Sequence, residues 1–205
     1  PQAGVWTYLL GDELLVAPFY EPGETREIIF PEGRWIDFFD EGVKYGPGPR
    51  ILEFPLERFP LFVREGAIVP MEVIDDTTGH GRAASAGHTT ILVYPREGSG
   101  RFGYYEEDAV GFMIRYVREE ASLSLATTAT TRKLLFRIHG DPEPLRVMMG
   151  DRELPRAASL EALVALPAGW AREGAITWVR VADASGGMDV WLDYAEGIRG
   201  DEPVR

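Results

Sequence analysis

The chain has 205 residues, of which 45% are hydrophobic and 26% charged, and a formal net charge of −12. These values are typical of a globular protein with a buried core, and the length allows one or two domains. The negative charge argues against nucleic-acid binding, which needs lysines and arginines gathered on one face. The one close basic pair, Arg132-Lys133, precedes an alternating pattern and indicates a solvated strand end.

The absence of cysteine excludes disulfides, thiolate zinc sites and cysteine nucleophiles. No apolar run approaches the roughly 18 residues that a membrane span requires, and the first residues lack the basic-then-apolar pattern of a signal peptide. We therefore expect a soluble protein without membrane partners; the sequence leaves its compartment open, with the cytoplasm favoured.

Short strands are predicted through the first third of the chain, because 15 prolines and 23 glycines interrupt segments rich in Val, Ile, Phe, Tyr, Trp and Thr. The run Leu14–Val16 is apolar throughout, as in a strand covered on both faces. The turn Pro31-Glu32-Gly33 separates two further strands. The predicted strands are 14–16, 27–30, 35–39, 51–54 and 61–63.

Residues 75–88 change to Thr, Gly, Ala, Ser and Arg, which is typical of a linker, so we place a domain boundary there. Later segments again alternate apolar and polar side chains, as half-buried antiparallel strands do. A hairpin is predicted around Asp183–Gly187, and Ser159–Leu166 is the one segment that favours helical turns. The predicted fold is all-β, with two antiparallel sandwiches and little helix.

Acidic pairs are the first candidates for hydrolytic chemistry, since glycosidases use two carboxylates across a sugar site. Asp37 with Asp40, and Glu106-Glu107-Asp108, both come at strand ends, where solvated turns are the more common explanation. The acidic triplet also suits calcium ligands. The turn from Asp183 to Asp189 resembles a calcium loop, but Tyr194 occupies the position of the required glutamate.

Histidines and aromatic residues supply the remaining candidates. His80, His88 and His139 have no metal-ligand spacing and are interpreted as surface residues. A sugar-stacking platform is possible from Trp35, Trp170, Trp178, Trp191 and Tyr104-Tyr105. Core packing is the more common fate of strand aromatics, and Trp170 is the best exposed candidate because it follows a Pro-Ala-Gly loop.

Three motifs in order resemble glycoside hydrolase family 31, the α-glucosidases and α-xylosidases. Tyr8–Pro18 resembles the family's last barrel strand, Phe30–Asp37 the start of a proximal C-terminal β-sandwich, and Pro60–Pro70 the closing signature of that domain. Residues 88–205 resemble the distal sandwich, where Tyr105–Asp108 matches a Tyr-Glu-Asp-Asp motif but Ala109 and Val110 depart from the glycine that usually follows. The resemblance implies four regions, at 1–18 (barrel strand remnant and linker), 19–76 (proximal sandwich), 77–87 (linker) and 88–205 (distal sandwich).

The family's catalytic aspartates belong to earlier barrel strands, and no matching segment occurs in this sequence. We therefore assign no catalytic, cofactor-binding or metal-binding residue, leave substrate-binding residues open, and expect no cofactor. The resemblance implies a fragment of a longer enzyme that hydrolyses α-linked glycosides on a TIM barrel. The expected partner is that barrel, and the expected role is structural support without activity of its own. Two alternatives stay open: a module that binds oligosaccharides, and one that forms homo-oligomers.

Overall fold

The computed structural model describes residues 6–19, 23–55, 57–106, 109–140 and 142–194. About 51% of these described residues are in strands and 4% in helices, which confirms the predicted all-β class. The strands are β1 (Tyr8–Leu10), β2 (Leu14–Val16), β3 (Thr25–Phe30), β4 (Trp35–Asp37), β5 (Lys44–Tyr45), β6 (Gly48–Glu53), β7 (Leu61–Arg64), β8 (Ile68–Glu72), β9 (Thr89–Val93), β10 (Gly98–Glu106), β11 (Ala109–Arg118), β12 (Ser122–Thr127), β13 (Leu134–His139), β14 (Arg146–Met149), β15 (Arg152–Glu153), β16 (Ala168–Glu173), β17 (Ile176–Val181) and β18 (Met188–Asp193).

Helical structure in the described residues is confined to α1 (Leu160–Leu163), within the predicted segment, and a 3-10 turn at Ala83–Ser85. The Ser159 hydroxyl caps α1 by accepting a hydrogen bond from the Ala162 amide at 3.3 Å. Across the ranges given above, no helix is long and apolar enough to span a membrane.

The chain divides into two compact units, Pro1–Ala67 and Ile68–Arg205. The first unit contains a five-stranded sheet in the order β1-β2-β7-β4-β5 and a two-stranded ribbon of β3 and β6. Alternation along β3 turns Ile28 and Phe30 inward, where both are buried. They pack against Leu15, Trp35 and Phe62 of the sheet, so the core of this unit lies between ribbon and sheet.

The side chain of Arg64, at the end of β7, fastens the turn that precedes β4. Its Nη2 donates to the Glu32 carbonyl at 2.9 Å, and its guanidinium lies 5.5 Å from the Trp35 ring. Gly33 in that turn has φ +109°, and a Cβ at this position would lie only 3.3 Å from Arg64 Nε, so a larger residue would crowd the arginine. The turn motif and the closing motif are thus one packed structure.

The second unit is a sandwich of two sheets, in the orders β10-β11-β12-β18-β14-β15 and β16-β17-β13-β9-β8. Apolar side chains from both sheets form one core, which includes Ile114, Leu125, Phe136 and Val179. All pairs are antiparallel except β9 and β13, which run parallel because the chain crosses to the other sheet between them. On the outer face, Leu160 and Leu163 of α1 cover Leu135 and Trp178.

Residues 77–87 lie within the second unit. Arg82 forms ion pairs with Glu161 at 2.9 Å and Glu173 at 2.7 Å, and Ser85 is buried. The preceding strand β8 pairs with β9 of the same unit, so the division of the chain falls before this segment, between Ala67 and Ile68. The assignment of family domains to 1–18, 19–76, 77–87 and 88–205 stays a prediction.

We expect Arg64→Ala to lower the free energy of unfolding of the first unit by about 1 to 3 kcal/mol, because it removes a charged hydrogen bond and a cation–π contact. The control is Arg34→Ala, which removes an exposed ion pair to Glu65 at 3.5 Å and should cost below about 1 kcal/mol. Urea unfolding of both variants gives the comparison. Equal losses would contradict the role of Arg64.

Candidate functional site

The most unusual surface of the first unit is strand β1, whose three residues all have large hydrophobic side chains that are about half exposed. Tyr8 is 54% exposed, Leu9 46% and Leu10 59%. Alternate residues of a strand point to opposite faces, so neither face of β1 is buried. Its cross-strand neighbour is different: Leu15, which pairs with Leu9, is 2% exposed. In the described part of the chain, β1 pairs only with β2 and forms the edge of its sheet.

A buried arginine holds the segments that flank β1 and β2. The Arg26 guanidinium donates to the Pro18 carbonyl and, at 3.2 Å, to the Thr7 hydroxyl. Gly11, with φ +64°, turns the chain between the two strands. An apolar edge strand that is fixed in place is the usual template for pairing with another polypeptide. This makes β1 a candidate interaction surface.

The predicted acidic pair has a structural role at Asp37. This side chain is buried, forms an ion pair with Arg58 at 2.6 Å, and accepts hydrogen bonds from the amides of Phe39 and Asp40 at 3.0 Å each. The expectation of a solvated turn is therefore wrong for Asp37, because Arg58 and the two amides replace water around the carboxylate. Asp40 is exposed.

The other acidic candidates give no metal site that the structure can describe. Glu107 and Asp108 lie outside the described residues, as does the side chain of Glu106. Asp183 accepts a hydrogen bond from the Ser185 amide at 2.9 Å, which is a turn contact. Among the described residues, no group of three His, Cys, Asp or Glu side chains is arranged to hold a metal ion.

Tryptophan burial removes most of the predicted sugar platform. Trp35, Trp170 and Trp178 are each at most 4% exposed, which confirms core packing for these three. The expectation that Trp170 is exposed in a loop is wrong, because Ala168–Glu173 is strand β16 and its alternation turns Trp170 into the sandwich core. Tyr105 is 88% exposed, whereas Tyr104 stacks on Phe112 with centroids 5.0 Å apart.

The histidines occupy three different environments. His80 is 2% exposed, so its interpretation as a surface residue is wrong. Its neighbour Gly81 is also tightly packed, since a Cβ there would meet Ser85 Oγ at 2.6 Å and Val73 Cγ1 at 2.8 Å. His139 lies 5.5 Å from the Tyr94 ring. His88 lines a cleft of about 260 Å³ in the second unit, together with Arg132 and Lys133.

Two features could not be found by sequence reasoning. The Arg26 hydrogen bonds to Pro18 and Thr7 join residues that are 8 and 19 positions apart in the sequence, so no local sequence pattern predicts them. The cleft combines Pro70–Glu72, Gly87–Thr89, Tyr104 and Arg132-Lys133, which are brought together only by strand pairing. The basic pair is evident in the sequence, but its position beside a histidine is not.

Comparison with known proteins identifies the first unit. The family model described as glycosyl hydrolase family 31 C-terminal domain matches residues 4–69. Alpha-glucosidase 2 of Bacillus thermoamyloliquefaciens is 28% identical over 160 residues, covering 71% of this chain and 20% of that enzyme. The 1,6-alpha-glucosyltransferase of Sporosarcina globispora is 27% identical over 205 residues, covering 85% of this chain and 15% of the relative. The chain thus spans a fifth or less of the length of these two relatives.

Solved structures share the fold over nearly the whole chain. The cycloalternan-forming enzyme from Listeria monocytogenes aligns with a TM-score of 0.80 and 24% identity, covering 92% of this chain and 19% of that one. The GH31 dextranase from Flavobacterium johnsoniae aligns with a TM-score of 0.75 and 24% identity, covering 92% of this chain and 26% of that one. The family model and the curated relatives agree, and they identify residues 4–69 as similar to the C-terminal domain of glycosyl hydrolase family 31.

Proposed function

We propose that the chain is the non-catalytic C-terminal β-sandwich region of a retaining family 31 α-glycosidase and that it supports that enzyme's catalytic barrel. The observation that carries this proposal is strand β1, which is held in place yet has half-exposed hydrophobic side chains on both faces. Burying a large apolar side chain completely contributes about 1.5 to 3 kcal/mol, so three half-exposed ones offer a substantial docking energy.

The lengths of the relatives support a larger parent enzyme. The alpha-glucosidase 2 and the 1,6-alpha-glucosyltransferase compared above extend well beyond the matched region, and their names describe action on α-linked glucose. A retaining glycosidase needs two carboxyl groups about 5 to 5.5 Å apart, one of them free to attack the sugar. The buried Asp37 is committed to Arg58 and two amides, so it does not serve as such a group.

Homo-oligomer formation would use the same surface. Two copies of β1 pairing edge to edge would also cover Tyr8, Leu9 and Leu10. The difference is measurable by light scattering, because barrel support leaves the isolated chain monomeric whereas self-pairing doubles its mass. A stable dimer that dissociates on Leu10→Lys would favour the oligomer over the barrel.

The proposal predicts that the purified chain does not hydrolyse p-nitrophenyl α-glucoside or α-xyloside above the rate of a buffer blank. A known α-glucosidase in the same assay serves as the positive control. Turnover that stays with the folded chain through purification and disappears on unfolding would overturn the non-catalytic assignment.

The exposure of β1 gives a second prediction from a matched pair of leucines. Leu9→Ala should change the free energy of unfolding of the isolated chain by about 0.5 kcal/mol or less, as at other exposed positions. Leu15→Ala, at its cross-strand partner, should cost about 2 to 5 kcal/mol because Leu15 is buried. Urea unfolding provides the values. A large loss for Leu9→Ala would mean that this chain itself covers β1.

A further inference from the structure

The cleft of the second unit lies beside two strand ends. Its lining comes from the end of β8 (Pro70–Glu72), the start of β9 with the residues before it (Gly87–Thr89), Tyr104 of β10, and Arg132-Lys133. Strands β8 and β10 are edge strands of the two sheets of this unit. The cleft is thus an opening at the side of the sandwich, reachable from solvent.

The basic pair is held firmly at this opening. The Arg132 guanidinium donates to the Thr89 hydroxyl at 3.3 Å and lies 4.9 Å from the Tyr104 ring. The Arg132 amide donates to the Thr130 hydroxyl at 3.2 Å, and the Lys133 carbonyl accepts from the Thr89 amide at 2.9 Å. The Arg132 guanidinium is thus held in place, which lowers the loss of side-chain freedom on binding a ligand, whereas these contacts fix only the backbone of Lys133.

Positive charge dominates the cleft although the whole chain has a net charge of −12. Arg132 and Lys133 line it, and Arg180 stands behind His88, donating from Nε to His88 Nε2 at 3.0 Å. Among the described residues, the lining contains one carboxylate, Glu72. Within the ranges that the structure describes, no carboxylate forms an ion pair with Lys133.

The pKa of His88 reflects the burial and the positive charges around its side chain. Burial lowers its pKa, and the charges of Arg180 and Lys133 lower it further. Nε2 accepts the hydrogen bond from Arg180, so the neutral ring carries its proton on Nδ1. A bound anion would oppose the two positive charges and raise the pKa of His88 again.

We propose that this cleft is a binding site for a small oxyanion, a carboxylate or a phosphate or sulfate group carried by a small molecule, held by Arg132 and Lys133 beside His88. Guanidinium and ammonium groups are the side chains that recognise such anions. The inference stands apart from the proposed support of a barrel, because it concerns only residues of the second unit.

The test is an NMR titration of the full 205-residue chain with sulfate, glucuronate and glucose at constant ionic strength. Sulfate keeps its charge between pH 5 and 8, so the imidazole titration of His88 is read directly in its presence and absence. We expect saturable shifts at Thr89, Arg132 and Lys133, and a raised His88 pKa with an anion. Sulfate and glucuronate separate a bare tetrahedral anion from a sugar carboxylate.

Variants that change the charge of the cleft are expected to change its affinity for anions in opposite directions. Lys133→Gln should weaken anion binding by about fivefold and Arg132→Gln by about tenfold, whereas Glu72→Gln should strengthen it by removing the opposing charge. Arg101→Gln, an exposed arginine on β10 outside the lining, is the matched control and should leave binding unchanged. Circular dichroism and the melting temperature check that each variant is folded.

Three results would overturn the proposal. The first is the absence of a saturable shift with any anion at 50 mM, a concentration about tenfold above the millimolar Kd that we expect, because the cleft would then not bind anions. Binding of glucose alone would mean a neutral sugar site. Equal weakening by Arg101→Gln and Lys133→Gln would mean non-specific attraction, since general screening acts on all surface charges alike.

Discussion

Arg64 is the side chain on which the architecture of the first unit depends. It ends the central strand β7, which pairs with β2 on one side and β4 on the other. From there it reaches the Glu32 carbonyl and the Trp35 ring, so the entry to β4 is fixed to the same strand that supports β2. The edge strand β1 is then positioned through β2 and through the buried Arg26. A rigid frame therefore presents an apolar edge.

This arrangement explains why the recognisable motifs occur together. The Pro-Glu-Gly turn needs Gly33 for its backbone and for the approach of Arg64, and Arg64 belongs to the closing motif. Glu65, the next residue, forms ion pairs with Arg34 at 3.5 Å and Lys44 at 3.6 Å. These exposed ion pairs add weaker contacts between the same segments. The motifs are thus signatures of a fold.

The sequence could predict the elements whose signal is local. The apolar run in β2 anticipates a strand covered on both faces, and Leu15 and Val16 are buried. The strand predicted at 27–30 lies within β3, which buries alternate residues. The prediction for Trp170 is wrong because Pro-Ala-Gly indicates a loop locally, whereas pairing with Val179 of β17 makes Trp170 a strand residue that faces the core. The predictions for His80 and Asp37 are wrong for a related reason. Polar side chains alone indicate exposure, yet both are buried, and Arg58 pairs with the buried Asp37. The cleft joins residues from four separate segments, so only tertiary structure places Lys133 near His88.

Amide hydrogen exchange of Tyr8–Leu10 tests most directly whether a catalytic barrel completes β1. The measurement compares the isolated chain with a chimera in which a family 31 barrel precedes the same residues and is active on an α-glucoside. We predict that exchange in β1 slows by about tenfold or more in the chimera, because covering and pairing an edge strand protects its amides, while the exposed ribbon residue Ile51 is unchanged. Equal exchange of β1 in the isolated chain and in an active chimera would contradict barrel support.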